Sequence, residues 1–312
     1  MATSFPAVQT YLGNVAMGFL ESEYDVSIKI DRLKFFWPNE LALEGVFLED
    51  DQHDTIAYIN DLKVGVFGFD FTQNHLMLTH LDWNGGKFYL RKHPGDSVYA
   101  FYDFIRSFSV EDPLGDIQEV SEIPETSYSP PFSLSIDQIE IRDLSFEKNP
   151  IGCDSCTAIF LDNAGVAVKD FELYDASVSG DIRDLFFVDR DRFQLYTFQG
   201  KASYNDTLIL VDDLYFMTTG SQVSGNASLS YGPDDFSDFL NKVKLDVTFY
   251  ESSFDSKEFI SYIPEFPDFD KFTFSGEGEG VINDFRVSQL DFRNYKETRL
   301  YGNAHVIQCT EV

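Results

Sequence analysis

The chain has 312 residues, of which 43% are hydrophobic and 16% aromatic, and its 53 acidic and 23 basic side chains leave a formal net charge of −30. This length and hydrophobic content predict a folded core and exclude a largely disordered protein. The negative charge excludes nucleic acid and a polybasic contact with an anionic membrane, because both surfaces repel it.

The first predicted element is an amphipathic helix in "SFPAVQTYLGNVAMGFLES". No signal-peptide pattern precedes it, and no run in the sequence reaches the ~20 apolar residues that cross a bilayer. Two interpretations stay open: a helix cut from an upstream segment, or an ordinary amphipathic capping helix. The apolar residues at helical spacing are Val8, Leu12, Val15, Ala16, Phe19 and Leu20.

Strands are predicted next, because apolar and polar residues alternate with the period of two that places one kind on each face of a sheet. The first alternation runs through Val26, Ile28 and Ile30. A second continues through Leu62, Val64 and Val66, with Lys63 and Gly65 on the other side.

A hairpin is predicted in "HLMLTHLDWNGGKFYLRK", with its tight turn at Asn84 and Gly85, because such a turn needs the positive φ that this dipeptide adopts readily. "DSVYAFYDFIRSF" then predicts an amphipathic helix with Asp96 or Ser97 as its N-cap. The acidic stretch rich in Pro and Ser that comes next, 109–131, predicts a flexible loop or linker.

From residue 132 the alternation resumes and continues almost to the end of the chain, interrupted by a short helix predicted in "DSKEFISYI". One phrase occurs twice, as "VSGNASL" at Val223 to Leu229 and as "LYGNAHV" at Leu300 to Val306, each time after a strand and a turn. A reused strand of an up-and-down hairpin explains this repetition better than an active site does.

The fold class predicted from these patterns is mainly β with a few short helices. A sheet with one apolar face must cover that face with a second sheet, with helices, with itself, or with something that is not protein. Few helices are predicted, so a β-sandwich, a solenoid or a sheet curled around an apolar guest remain as alternatives.

No catalytic or metal-binding constellation is predicted. Cys153 and Cys156 form a lone CxxC without further zinc ligands, which leaves a loop pair or a local disulfide. His75 and His80 are expected on opposite faces of a strand. The acidic turns lack EF-hand spacing, and "SGEGEG" lacks the Lys and helix of a phosphate loop, so its glycines predict a bend or bulge. The sequence therefore predicts neither an enzyme nor a bound cofactor.

The chain resembles the N-terminal part of the long TamB proteins, in the AsmA-like group of bridge-type lipid carriers. The resemblance covers nearly the whole sequence, from "PAVQTYLGNVAMGFL" and "VSIKIDRLKFFWPNELALEGVFLEDDQHDTIAYINDLKV" through "HLDWNGGKFYLRK" and "FSLSIDQIEIRDLSFE" to "DFSDFLNKVKLDVTFYESSFDSKEFISYIPEF" and "FTFSGEGEGVINDFRVSQLDFRNY". Its specificity comes from the order and total length of these segments, since none is a short catalytic signature.

The resemblance implies a long, curled antiparallel sheet whose inner face is a taco-like hydrophobic groove. It implies transport of phospholipid between the inner and outer membranes, with an outer-membrane β-barrel of TamA or TamL type as partner. Family members carry an inner-membrane helix just before the "PAVQTYL"-like segment, so the resemblance implies a periplasmic location and an upstream anchor that is absent here. The alternative function is a non-enzymatic scaffold for outer-membrane protein assembly with that barrel partner.

The expected organisation is an N-terminal helix and curled sheet over 1–108, a linker over 109–131 and a continuation of the β-groove over 132–312. We expect the apolar positions of the alternating stretches to contact lipid, although ordinary core is an equal alternative for any one of them. These candidates are Val26, Ile28, Ile30, Leu62, Val64, Val66, Leu134, Ile136, Ile141, Leu245, Val247, Phe249, Phe285 and Val287.

Overall fold

The structure of the chain is a computed structural model, and the residues that it describes are 27–49, 54–91, 130–148, 158–190, 193–260, 270–294 and 298–307. The predicted N-terminal helix, the predicted helix after Asp96 and the CxxC pair lie outside these residues. Nearly all of the predicted linker lies outside them as well.

Fourteen strands in the described residues form one sheet, and each strand pairs with its neighbours in sequence. The strands are β1 (Ser27–Phe36), β2 (Glu40–Glu49), β3 (Thr55–Asp70), β4 (His75–Leu90), β5 (Ser133–Lys148), β6 (Ile159–Tyr174), β7 (Ser177–Asp189), β8 (Gln194–Asn205), β9 (Leu208–Thr218), β10 (Gln222–Ser230), β11 (Lys244–Asp255), β12 (Lys271–Val281), β13 (Asp284–Asn294) and β14 (Arg299–Ile307). A 3₁₀ turn at Asp235–Asp238 leads into helix α1 (Phe239–Lys242), and helix α2 (Lys257–Ile260) comes after β11.

The mainly β prediction is confirmed, and a β-sandwich is wrong for the described residues, because all fourteen strands belong to one sheet. The sheet is not closed, so β1 and β14 are its two edges. Helix α2 confirms the short helix predicted in "DSKEFISYI".

One pair of strands departs from the antiparallel pattern. β4 and β5 are parallel, in a register that runs from His75 opposite Ser133 to Leu90 opposite Lys148. The His75 imidazole lies 2.7 Å (Nδ1) from Ser133 Oγ and 3.0 Å (Nε2) from Ser135 Oγ, and the rings of Phe88 and Phe146 stack at 5.9 Å. The sheet is therefore continuous between the strands that flank residues 92–129.

The hairpin turn predicted at Asn84 and Gly85 is wrong. Both residues lie inside the unbroken strand β4. Asn84 is opposite Asp61 of β3 and Arg142 of β5. Gly85 does take a positive φ of 71°, but the Asn60 side chain occupies the space where a Cβ would stand, only 2.4 Å from its Nδ2. The glycine thus fits a local irregularity of a long strand, and the reversal from β3 to β4 occurs at 71–74 instead.

Irregularities of this kind interrupt the alternation of most strands. In β11 the apolar residues are odd-numbered up to Phe249, whereas Phe254 is even-numbered, and the register shifts between Phe249 and Ser252. β13 changes in the same way after Val287. A bulge adds one residue to one strand, so an apolar pattern that changes phase at the bulge stays on one face of the sheet.

The repeated phrase belongs to two of these bulges. The Asn226 side chain of β10 accepts a hydrogen bond from the backbone N–H of Asp213 at 2.9 Å, and Asn303 of β14 accepts one from the N–H of Gln289 at 3.0 Å. Asp213 and Gln289 have nearly the same positive φ, 54° and 53°. In each copy of the phrase, the asparagine side chain therefore accepts a hydrogen bond from the bulge of the preceding strand. We call this contact the asparagine clasp.

This clasp predicts a measurable contribution to stability. Replacing Asn226 by Ala leaves the N–H of Asp213 without its acceptor, so we expect the free energy of unfolding to fall by about 1 kcal/mol. Urea unfolding followed by circular dichroism measures the change. Ser228→Ala, on the same face of the same strand, is the matched control and is expected to change stability by less than about 0.5 kcal/mol. Equal effects of the two variants would contradict the clasp.

Candidate functional site

A row of directly opposed residues crosses the sheet from β3 to β14, and each member is aliphatic, aromatic or glycine. Opposed residues of neighbouring strands point to the same face, so the row defines one apolar face. At ~4.8 Å per strand it is about 50 Å long. Its members are Phe69, Leu76, Leu134, Leu173, Val178, Tyr204, Ile209, Leu229, Leu245, Gly280, Phe285 and Val306.

Parallel rows bring most of the other predicted residues to the same face. Val64 belongs to the row Phe35, Leu41, Val64, Leu81, Ile139, Val168, Ile182 and Gly200, and Leu62 and Ile141 to the row Leu33, Leu43, Leu62, Trp83, Ile141, Val166 and Leu185. Val66 lies opposite Leu78, which lies opposite Ile136. Val247 and Val287 both oppose Gly278, and Phe249 opposes Gly225.

The remaining candidates lie at the β1 edge. Ile30 begins the row Ile30, Val46, Ile59, Gly86, Leu144 and Ala164. Ile28 lies in β1 opposite Leu48. Val26 lies outside the described residues.

The apolar face is only partly shielded from solvent. Among the candidates Ile136 is 4% exposed, whereas the others whose burial is described are half-buried. Leu33, Tyr204 and Val306, in the same rows, are 51%, 47% and 38% exposed. The described residues form no second sheet, and their helices are one turn long, so neither kind of layer from the described part of the chain covers this face.

Aromatic side chains concentrate on the part of this face formed by β11 to β13. Phe249 meets Phe274 edge to face at 5.2 Å, and Phe272 lies 5.7 Å from Phe274 and 5.1 Å from Phe292. The sequence analysis identified Phe249 but missed the other three. Phe292 comes after the change of phase in β13, which a strict period of two does not allow. Phe272 and Phe274 precede the glycines of β12 at even-numbered positions without any change of phase, so the regular alternation of β12 is the signal that finds them.

The opposite face is polar and carries cross-strand ion pairs. Lys29 contacts Glu49 at 2.8 Å and Lys244 contacts Glu279 at 2.7 Å. Asp291 accepts hydrogen bonds from both Arg293 and Arg299, and these lower the pKa of its carboxyl group to about 2. Such pairs are exposed and add little stability each, but they make the two faces of the sheet chemically different.

The two histidines of β4 were expected on opposite faces, and this is wrong. Thr79 is an extra residue opposite the β3 positions Gly65 and Val66, and it changes the phase of β4, so that His75 and His80 both lie on the polar face. They have different partners: His75 contacts two β5 serines, and His80 lies 3.3 Å from Glu40. Within the described part of the chain no three His, Cys, Asp or Glu side chains are grouped as metal ligands.

Glycines of the predicted "SGEGEG" bulge lie in β12, and the register between β12 and β13 shifts between Ser275 and Glu277. Gly276 there has a φ of 149°. The predicted irregularity is therefore present at this segment, but the extra residues of the two bulges beside Gly276 belong to β11 and β13, and the segment leads into β13 without a helix.

No helix within the described ranges is both long enough and apolar enough to cross a membrane. Neither a family model, a curated protein nor a solved structure matches this chain.

The ion pairs at Asp291 predict a pH dependence. A carboxyl group whose pKa is lowered from 3.8 to about 2 stabilises the fold above pH ~4, and this contribution is lost as the pH falls through 2. We expect the side-chain ¹³C resonance of Asp291 to titrate with a midpoint near that lowered pKa.

The hydrogen bond from Arg293 lowers the pKa of Asp291 more than the one from Arg299 does. Arg293→Gln removes it and is therefore expected to raise the titration midpoint of Asp291 toward 3.8. Arg286→Gln, which removes a cation from the same strand but not from this pair, is the control. The assignment is wrong if Asp291 titrates near 3.8 in the unmodified chain.

Proposed function

We propose that the apolar face binds the acyl chains of phospholipid and that the sheet curls so that this face lines a groove. We further propose that the chain is the periplasmic part of a bridge-type lipid-transport protein of the TamB kind, anchored in the inner membrane and working with an outer-membrane barrel of TamA or TamL type. The observation that carries the proposal is the unbroken apolar row from β3 to β14, with side chains that are still half-exposed.

The energetics favour a continuous lining of this kind. Exposing about thirty methylenes of a two-chain lipid to water costs on the order of 25 kcal/mol at ~0.8 kcal/mol each. A carrier must therefore keep most of that surface covered along the whole path. Each of the rows has an apolar residue or a glycine at every strand, so an acyl chain that moves along a row does not meet a polar side chain of that row.

The repeat also lowers the barrier between neighbouring positions. Successive strands are ~4.8 Å apart and present similar aliphatic or aromatic groups. An acyl chain that moves by one strand exchanges one set of dispersion contacts for another of nearly equal strength. Movement along the sheet then needs no tightly binding site, and none of the rows contains a charged side chain that would hold a headgroup.

The polar face is unsuited to the same role. Several of its lysines form ion pairs with carboxylates of neighbouring strands, as at Lys29, Lys201 and Lys244. An acyl chain on that face would have to displace hydrated ion pairs, which offers it no gain. The proposal therefore assigns lipid to one face only.

Photocrosslinking tests this assignment. A photoreactive amino acid at Val64, Leu134 or Val247 is expected to label phospholipid when the protein is mixed with phosphatidylethanolamine and phosphatidylglycerol vesicles. The same group at Lys63 or Asp246, each next to an apolar-face residue but on the polar face, is the matched control. Labelling of the control positions as strong as that of the first set would contradict the proposal.

A charge on the apolar face is expected to reduce lipid binding. Val247→Asp places a carboxylate beneath the acyl chain, and its desolvation is expected to weaken binding by at least about ten-fold. Thr248→Asp adds the same charge one residue along on the polar face and serves as the control. Native mass spectrometry of the gently purified proteins counts the bound phospholipid, and equal occupancy in the two variants would contradict the assignment of the face.

A further inference from the structure

The two copies of the repeated phrase differ in what lies beside their glycines. A Cβ on Gly225 of β10 would stand 2.0 Å from the backbone oxygen of Thr248 and 3.1 Å from the ring of Phe249, both in the next strand, β11. A Cβ on Gly302 of β14 would meet nothing within 4 Å among the described residues. The second copy thus has the glycine without the neighbouring strand that makes a glycine necessary.

The backbone of Gly302 has the conformation that two glycines of β12 adopt where the following strand contacts them. Its φ is 133°, close to the 149° of Gly276 and the 131° of Gly280 in β12. Those two glycines both lie against the backbone of β13: Gly276 against Ser288 and Leu290, and Gly280 against Asp284. Gly302 has this conformation in a strand that, among the described strands, pairs on one side only.

The rest of β14 is equally prepared on the apolar side. Leu300 and Val306 lie on the apolar face and are 54% and 38% exposed. Asn303 clasps the bulge at Gln289, which fixes β14 in the same relation to β13 that β10 has to β9. An open edge with unpaired backbone groups is a template for strand addition.

We propose that β14 is the docking edge for one further antiparallel β-strand of a partner protein, with an aromatic residue opposite Gly302. The pairing of β10 with β11 gives the register, since Gly225 opposes Phe249, Ala227 opposes Val247 and Leu229 opposes Leu245. The added strand accordingly places apolar side chains opposite Ala304 and Val306. This inference does not depend on lipid binding.

A second copy of this chain fits the edge less well. Two β14 strands paired antiparallel would place Gly302, Ala304 or Leu300 opposite Gly302, none of them aromatic. A β1 strand with Phe35 opposite Gly302 would, in an unbroken register, place Asp31 opposite Val306. The net charge of −30 on each copy also opposes self-association. The favoured occupant is therefore a strand without net negative charge.

A capped peptide of residues 243–250, VKLDVTFY, is a suitable probe, because it reproduces the part of β11 that pairs with the first copy and its Lys and Asp cancel in charge. We expect it to slow backbone amide exchange of 299–307 in the full chain, measured by mass spectrometry. A peptide with Phe249→Gly is expected to bind about ten-fold more weakly, the effect of removing one buried aromatic side chain.

Two variants of the protein keep the test decisive. Gly302→Val fills the vacant space and is expected to abolish the protection. If that variant disturbs β14, Leu300→Lys blocks the edge by pointing a charge to the apolar side, with Tyr301→Lys on the other face as the matched control. The protection by peptide is measured without lipid, and Tyr301→Lys, on the polar face, is expected to leave labelling of phospholipid from Val64 unchanged, so the outcome is separate from that of the lipid proposal.

Three results would overturn the inference. The first is the absence of protection at 299–307 at saturating peptide, and the second is protection of 27–36 in its place. The third is protection of 299–307 that appears without peptide as the protein concentration rises, with a matching increase in mass by light scattering, because the edge would then belong to a second copy.

Discussion

The structure depends on one constraint, which is that backbone groups of neighbouring strands must stay paired while apolar side chains stay on one side. The strands are up to 16 residues long. If apolar residues alternated along them without interruption, backbone pairing and a one-sided apolar surface would both be kept only in a regularly twisted sheet. Here bulges change the phase within most strands, and the apolar residues change phase with them. The asparagines that clasp Asp213 and Gln289 stabilise two of these positions, and the repeated phrase is the trace that this leaves in the sequence.

From this constraint comes the lateral continuity of the apolar face. Each strand contributes only a few apolar side chains, and a single hairpin would have too small a surface to hold an acyl chain. Because the registers align Leu134, Leu245 and Phe285 in one row across many strands, short local patterns add up to a long uniform surface. The proposed function depends on this long apolar surface as a whole. Lipid binding by such a surface requires no compact group of polar residues.

Much of the fold could be predicted from the sequence, because alternation reports directly on which side chains share a face. It succeeded at Leu62, Val64 and Val66, where β3 is regular. It failed at Asn84 and Gly85, since a glycine with positive φ also fits within a continuous strand, and only the pairing of Asn84 with Asp61 and Arg142 on the neighbouring strands excludes a turn. Phe292 was missed because it follows the change of phase in β13, and no local pattern indicates that β4 and β5 are parallel.

The parallel step has a consequence for the margins of the sheet. Because β5 runs in the same direction as β4, the tight reversals at 37–39, 71–74, 175–176, 206–207 and 282–283 all fall along one margin. The strand ends that flank 50–53, 149–157, 191–192, 261–269 and 295–297 all meet at the other margin. Without that step the connection between β5 and β6 would change sides. Each margin nevertheless mixes short and long connections, because the three-residue reversal 219–221 lies on the second margin and the connection 231–243, which contains α1, lies on the first. The parallel step therefore determines the side of each connection and not its length, and a longer connection on either margin leaves the register of every strand unchanged.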